Sequence, residues 1–600
     1  MNIKKLIILM FSFLILPKTA IAYNKAAIDI TRVDISELKN ALDLKIISSQ
    51  ELTLLYLDRI EAYDKNYNAI ISINDKALVE AKKLDEERDN GNVRSILHGI
   101  PIIVKDNIDV LGMTTTAGAK ALSDNYPKAN ADAIQKLIDA GAIILAKANM
   151  SEFAFQASSS RSSYGTVKNA YNLEYSAYGS SGGSATSVAA SFATAALGTD
   201  TNSSVRLPAA ASNLVGLRPT TELISKTGVL PYDPIRDTIG TLTKTVADSI
   251  YIMNIINQNN KEFKVDINNL KGLRIGIPTN FFKGDSNNNL PENQSTYSEI
   301  QALMEVAIKK LEAENITIIY LDDYYNYQTD SWFSNSLSGY LFCDSFNKYL
   351  KNTSSTIRSF TELAISPNII TDLSDYTGSC DSLETRLIEK NILKQEYKDY
   401  INEIMTNNNI DLIMYPTTKN KLLKNADSSR VQNLSAHASS TINYPAITLP
   451  LGFDKDNLPY GIEFMAKSNN EDLLYNIASL YENKNHKTPS IAPSLYEVPD
   501  NLNKLVSNYT IKMSNAKYDF EKKWLTEVQK FFRDYLNKDN SHLIDNLNQQ
   551  YQHNKNYSIL IKILIFFTAS TSFLFIVRKL ILKNTKPTKN QRKRLKSSLF

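Results

Sequence analysis

Residues 131–155 read "ADAIQKLIDAGAIILAKANMSEFAF". Apolar residues recur at helical spacing through Ile134, Leu137 and Ile138, Gly141 stops the turn, and "AIILA" follows as a short apolar run before a polar loop. Helix, glycine stop, strand and loop is the order this stretch sets, and the chain repeats it on both sides. Upstream, "ILHGIPIIVKDNIDV" (96–110) is a compact apolar run broken by Gly and Pro, which reads as a buried strand ending at Lys105. Before it, residues 31–90 alternate apolar and charged positions at helical spacing. Downstream, "LKGLRIGIPTNFF" (270–282), "IDLIMYPTT" (410–418) and "YPAITLPLGF" (444–453) continue the alternation. The pattern predicts an α/β fold around a large sheet. Residues 283–400, rich in Tyr, Ser and Asn, read as irregular: either an insertion of loops and helices or a wall of the substrate cavity.

Composition is that of a globular protein, with 43% apolar and 22% charged residues. The formal charge is +4, but nine Lys and Arg and no acids fall from Arg578 onward, so the rest of the chain carries −5. A mildly acidic body offers no basic face for nucleic acid. Five histidines, two cysteines and no CxxC spacing give no metal site. Cys343 and Cys380 could form one disulfide in an exported chain, though spacing alone does not show that they meet.

The two ends carry a separate message. Lys4 and Lys5, the apolar run from Leu6 to Leu16 and Ala20-Ile21-Ala22 predict a cleaved signal over residues 1–22. At the other end, Ile559 to Val577 is long and apolar enough for a membrane helix, and the basic run from Arg578 fixes the cytoplasmic side. Phe520, Trp524, Val528, Phe531 and Tyr535 recur at helical spacing before it, followed by a polar stalk. The expected organisation is a signal (1–22), a main domain (23–497), an amphipathic helical segment and stalk (498–557), a single transmembrane helix (558–578) and a basic cytoplasmic tail (579–600). This predicts an exported, membrane-anchored protein whose body lies on the non-cytoplasmic side, with the lipid bilayer as a partner through the C-terminal helix. Homo-oligomerisation is left open.

Two serine runs, "YGSSGGSATS" (178–187) and "GTDTNSSVRLPAA" (198–210), bear the chemistry. The first contains Gly179-Ser180-Ser181-Gly182-Gly183, a formal match to the G-x-S-x-G elbow of α/β-hydrolases. That elbow needs an apolar strand before it, whereas "VKNAYNLEYSAY" is polar and loop-like, and His98 lies upstream of it. His98 reads as structural. Alone, Lys105 reads as a strand-end surface residue and "GSSGGS" as a flexible loop. Taken together with "LHGIPIIVKDNIDVLGMTTTAGAKAL" (97–122), "LAKANMSEFAF" (145–155), "NYPAITLPLGF" (443–453) and "YGIEFMAKSNNEDLLYNIASLYE" (460–482), they resemble the amidase signature family across residues 28–485.

That resemblance implies an amidase-signature fold, with a large mixed β-sheet core flanked by helices, and a Ser–Ser–Lys triad. Lys105 matches the general base, Ser180 the bridging serine held by a cis peptide, and Ser204 the nucleophile. Thr201, Asn202, Ser203 and Ser204 match the backbone N–H groups of the oxyanion hole. Ser181, Asp200 and Arg206 match supporting residues behind them. The chain departs from the family where Asn202-Ser203 stands in place of a common Gly-Gly, a change bearing on turn geometry, since glycine adopts positive φ freely. It also leaves Ser203 as a rival nucleophile. A free lysine is protonated at pH 7, so the base works only if burial lowers its pKa.

The expected activity is hydrolysis of a small-molecule carboxamide to acid and ammonia or amine, with no cofactor. Two alternatives stand beside it. One is a non-catalytic binding protein on an amidase scaffold. The other is the glutamine-hydrolysing subunit of a tRNA-dependent amidotransferase, which needs tRNA, ATP-using partners and the cytosol.

Overall fold

The computed structural model describes residues 30–279, 291–322, 324, 338–376, 383–419, 421–425 and 437–485. The expected signal, amphipathic segment, membrane helix and basic tail lie outside these residues. Among the described residues, no helix is long and apolar enough to cross a membrane.

Among these residues, eleven strands form one sheet: β1 (Ile70–Ile73), β2 (Pro101–Lys105), β3 (Ile143–Ala148), β4 (Ala195–Asp200), β5 (Val215–Arg218), β6 (Thr238–Thr243), β7 (Arg274–Pro278), β8 (Thr317–Leu321), β9 (Leu412–Pro416), β10 (Ala446–Phe453) and β11 (Pro459–Met465). Their order is β1-β3-β2-β4-β6-β5-β10-β11-β9-β7-β8. β2 runs parallel to β3 and β4, and β7 is parallel to β8 and β9, while the pairs between these blocks are antiparallel. The sheet is therefore mixed, and its central strands are buried throughout because both faces are covered. All five residues of β2 and all six of β3 and β4 are buried.

Helices α1 (Ile35–Asp43), α2 (Ser49–Tyr67), α3 (Ala77–Asp89), α4 (Asp132–Asp139), α5 (Gly182–Ala189), α6 (Arg206–Ala211) and α7 (Val246–Ile256) accompany the first half of the sheet. α2 begins with a capping box, in which Ser48 Oγ accepts from Glu51 N at 3.0 Å and Glu51 Oε2 accepts from Ser48 N at 3.2 Å. β1 interrupts what the helical spacing of residues 31–90 suggested, because "IISI" is too short to break the periodicity. In the stretch from 283 to 400 and just beyond, helices span Pro291–Glu312, Ser338–Leu350 and Leu383–Asn407, as an insertion of loops and helices would have it. Phe342 and Phe346 of the second are buried in an aromatic cluster with Phe153 and Phe360, so this part of the segment packs as core.

The glycine stop after α4 has a steric cause. Gly141 has φ +87°, and a methyl group there would sit 2.8 Å from His98 Nδ1 and 3.0 Å from His98 Cα. His98 is buried, accepts from Arg94 N at 3.2 Å and meets Leu84 O at 2.9 Å through Nε2, which makes it a structural neutral imidazole. Burial, the largest influence, lowers its pKa. Gly141→Ala combines left-handed backbone with a clash against this ring. It is expected to destabilise the protein by about 2–3 kcal/mol, read as a lowered thermal midpoint.

Candidate active site

β2 ends at Lys105, β4 ends at Asp200, and the two are parallel neighbours, so the sheet brings both termini to one edge. The Ser180 loop is packed onto the same edge by small residues. At Gly183 a Cβ atom would lie 2.1 Å from Asn149 O and 2.6 Å from Ala69 O, so only glycine lets α5 approach this closely. The Gly179–Ser180 peptide is cis. Ser180 O accepts from Ser151 N at 3.2 Å and from Ser160 Oγ at 3.3 Å, which ties the loop to the segment after β3.

Lys105 has no solvent exposure. Its Nζ lies 2.6 Å from Ser180 Oγ, 2.7 Å from Thr199 Oγ1 and 3.2 Å from Thr199 O. Burial lowers its pKa to about 7, against the upward pull of Asp200 and Asp237. Among the described residues no carboxylate touches the amine. It can therefore be neutral near physiological pH and exchange a proton with Ser180. Asn107 Nδ2 reaches Thr199 Oγ1 at 3.1 Å and fixes that hydroxyl.

Ser204 follows β4 and retains 5% exposure, whereas Ser203 has none and its hydroxyl is buried without a partner among the described residues. Of the two, only Ser204 presents an accessible hydroxyl. Its O accepts from Ser181 N at 3.1 Å, which sets it beside the Ser180 loop. Ser204 Oγ makes no hydrogen bond among the described residues, so the link to Ser180 is open in this structure. The N–H groups of Thr201, Asn202, Ser203 and Ser204 likewise meet no acceptor among the described residues. Four consecutive idle donors make a natural seat for a negative oxygen. Neither Asn202 nor Ser203 has a positive φ, so this loop does not need the glycines common in the resembling proteins.

Behind the loop lies a buried charge network. Arg206 donates to Asp200 Oδ1 and Oδ2 at 3.2 Å each, to Asn202 O at 2.6 Å, to Ser439 Oγ at 2.8 Å and to Glu463. Arg218 donates to Asp200 Oδ1 at 3.1 Å and to Arg236 O at 2.8 Å. Burial alone would raise the Asp200 carboxyl, but Arg206 and Arg218 hold it well below the usual carboxylate range. Ser181 Oγ donates to Thr199 O at 3.2 Å. Ser181, Asp200 and Arg206 thus lie together behind the loop. Thr199, Asn107, Arg218, Asp237 and Glu463 are not singled out by the sequence; of these, Thr199 alone has a local signal, lying beside Asp200 at the strand end. Among the described residues no group of three or more His, Cys, Asp or Glu could hold a metal ion.

Asp200→Asn would leave two buried guanidiniums short of a counter-charge and should cost about 3 kcal/mol in denaturant unfolding. Because Asp200 pulls the Lys105 pKa upward, the same change should also move that pKa below its present value.

Fold and site together define an α/β core that brings two serine loops and a desolvated lysine to one edge of the sheet. The chain belongs to the amidase family: the family model described as Amidase matches residues 51–475. It is accordingly a hydrolase acting on amide C–N bonds. Among its relatives, a glutamyl-tRNA(Gln) amidotransferase subunit of Ruminiclostridium cellulolyticum is 31% identical over 483 residues, covering 76% of this chain and 97% of the relative. The corresponding Clostridium botulinum protein is 32% identical over 493 residues, with the same coverage. Among solved structures, the native peptide amidase from Stenotrophomonas maltophilia superposes with a TM-score of 0.68 at 28% identity, covering 76% of this chain and 98% of that one. An amidase family protein from Bacillus anthracis gives 0.66 at 27% identity, covering 80% and 95%.

Proposed function

We propose that this protein is an exported, membrane-anchored amidase that hydrolyses a carboxamide through an acyl-enzyme on Ser204. The observation that carries the reading is the buried Lys105 amine, 2.6 Å from Ser180 Oγ with its pKa lowered to about 7 by burial. Ser204 Oγ attacks the amide carbon and its proton passes to Ser180, whose own proton passes to Lys105. The developing oxyanion is held by the N–H groups of residues 201–204. Return of the proton along the same path releases ammonia or amine, and water repeats the sequence to free the acid. Histidine is unnecessary because desolvation retunes the lysine.

Export is supported by the predicted signal and by Cys343, which is buried and disulfide-bonded, a state that persists in oxidising compartments. Cys380, the chain's only other cysteine, lies outside the described residues. Membrane attachment is supported by the apolar run Ile559 to Val577 and the basic tail after it.

The similarity to the glutamyl-tRNA(Gln) amidotransferase proteins favours a second reading, in which the chain is the glutamine-hydrolysing component of such an enzyme. Full-length protein assayed against short amides, acyl amides, peptide amides and glutamine separates the two. Hydrolysis of non-glutamine amides by the purified chain supports the first reading. Hydrolysis of glutamine alone, and only with partner proteins added, supports the second. Absence of both turnover and labelling of Ser204 by a serine-directed probe supports a binding protein.

A further inference from the structure

Asn202 brings a carboxamide side chain into the loop two residues before Ser204. Its backbone O accepts from Arg206 at 2.6 Å, and its Oδ1 accepts from an Arg236 guanidinium nitrogen at 2.7 Å. Arg236 is itself fixed by Asp233, with Nε 2.8 Å from Oδ2. A guanidinium carries donors and no acceptor, so the amide oxygen must face Arg236 and the amide nitrogen must face away from it. That nitrogen meets no acceptor among the described residues, and Asn202 is partly exposed between buried Thr201 and Ser203. Binding of its oxygen to a cation also polarises the amide and strengthens its N–H donors.

We propose that Asn202 is a substrate-positioning residue, whose Nδ2 donates to a second, neutral carbonyl oxygen of the amide substrate. This deepens the amidase reading above and rests on it. Two residues of chain span at most about 7 Å, so the second oxygen lies within a few bonds of the scissile carbonyl. A neutral oxygen fits better than a carboxylate, because the guanidiniums here already have carboxylate partners: Arg236 is held by Asp233, and Arg206 and Arg218 by Asp200 and Glu463. The substrate class is therefore an amide that carries a second, neutral carbonyl a few bonds from the scissile one, so that one carbonyl is cleaved and the other is held.

The test uses full-length Ser204→Ala protein, which binds without turnover, titrated by ligand-observed NMR with N-acetylglycinamide and with pentanamide, a chain of matching length lacking the second carbonyl. One hydrogen bond to a polarised donor predicts a preference of about tenfold for N-acetylglycinamide. Asn202→Asp added to that background keeps an oxygen for Arg236 but removes the donor, and Asn202→Gly removes the side chain. Both should erase the preference while circular dichroism shows a folded protein. Absence of a preference in Ser204→Ala, or its persistence in either folded double variant, overturns the proposal. Failure of the amidase reading is seen separately, as absence of hydrolysis of any amide by the unsubstituted protein.

Discussion

Ser204→Ala is expected to lower kcat/KM for amide hydrolysis by at least about 10⁴-fold, to the level left by binding and oxyanion contacts alone. The size follows from what is removed. Neither of the nearest rivals can substitute, because Ser180 is engaged with Lys105 and Ser203 is fully buried. Folding should be unaffected, since Ser204 Oγ has no hydrogen bond among the described residues to lose. Ser203→Ala is the matched control: it deletes a buried hydroxyl that no acceptor meets among the described residues and keeps the backbone N–H, so its loss should be far smaller. Equal losses in the two variants would show that the nucleophile is wrongly assigned. Steady-state kinetics, with active-site labelling to count competent molecules, reads both.

Lys105→Met should cost about 10³-fold or more, the upper range for removing a positioned general base. Methionine fills the buried space but accepts no proton, so Ser180 cannot pass one on. The pH profile carries the sign. Only the neutral amine is competent, so wild-type kcat/KM should rise about tenfold per pH unit below the Lys105 pKa of about 7 and flatten above it. Stability follows a linked course. The folded pKa lies below the ordinary 10.5, so between about 7 and 10.5 the unfolded chain holds the extra proton. Raising the pH through that window therefore adds stability from this group, and below it the contribution is flat. Both the rise in rate and this stability slope should vanish in Lys105→Met.

The parts of the molecule legible in sequence are those with local signals. The apolar run before Lys105, the glycine at position 141 and the two serine loops all announce themselves within about ten residues. β2, α4 and β3 follow those signals closely, whereas the Lys105–Ser180 contact, 75 residues apart, comes from the family resemblance and not from local pattern. What local signals miss depends on sheet order. Arg218 reaches Asp200 because β5 and β4 both pair with β6, and Glu463 reaches Arg206 from β11, 257 residues away. No periodicity encodes such neighbours. The Asn202-Ser203 departure looks in sequence like a turn problem because glycine suggests positive φ. The loop instead runs without positive φ at either residue, and the substitution bears on side chains: Asn202 gains Arg236 as a partner. The helices Pro291–Glu312 and Leu383–Asn407 are obscured in sequence by polar and aromatic residues that blur the apolar stripe.

One measurement bears most directly on the account: the rate at which a serine-directed phosphonate labels Ser204, followed from about pH 5 to about pH 10 in wild type and in Lys105→Met. A desolvated lysine acting through Ser180 predicts a labelling rate that climbs with a midpoint at about 7 in wild type and stays low and flat in the variant. A wild-type midpoint at the ordinary lysine value, or a Lys105→Met protein that labels as fast as wild type, would contradict it.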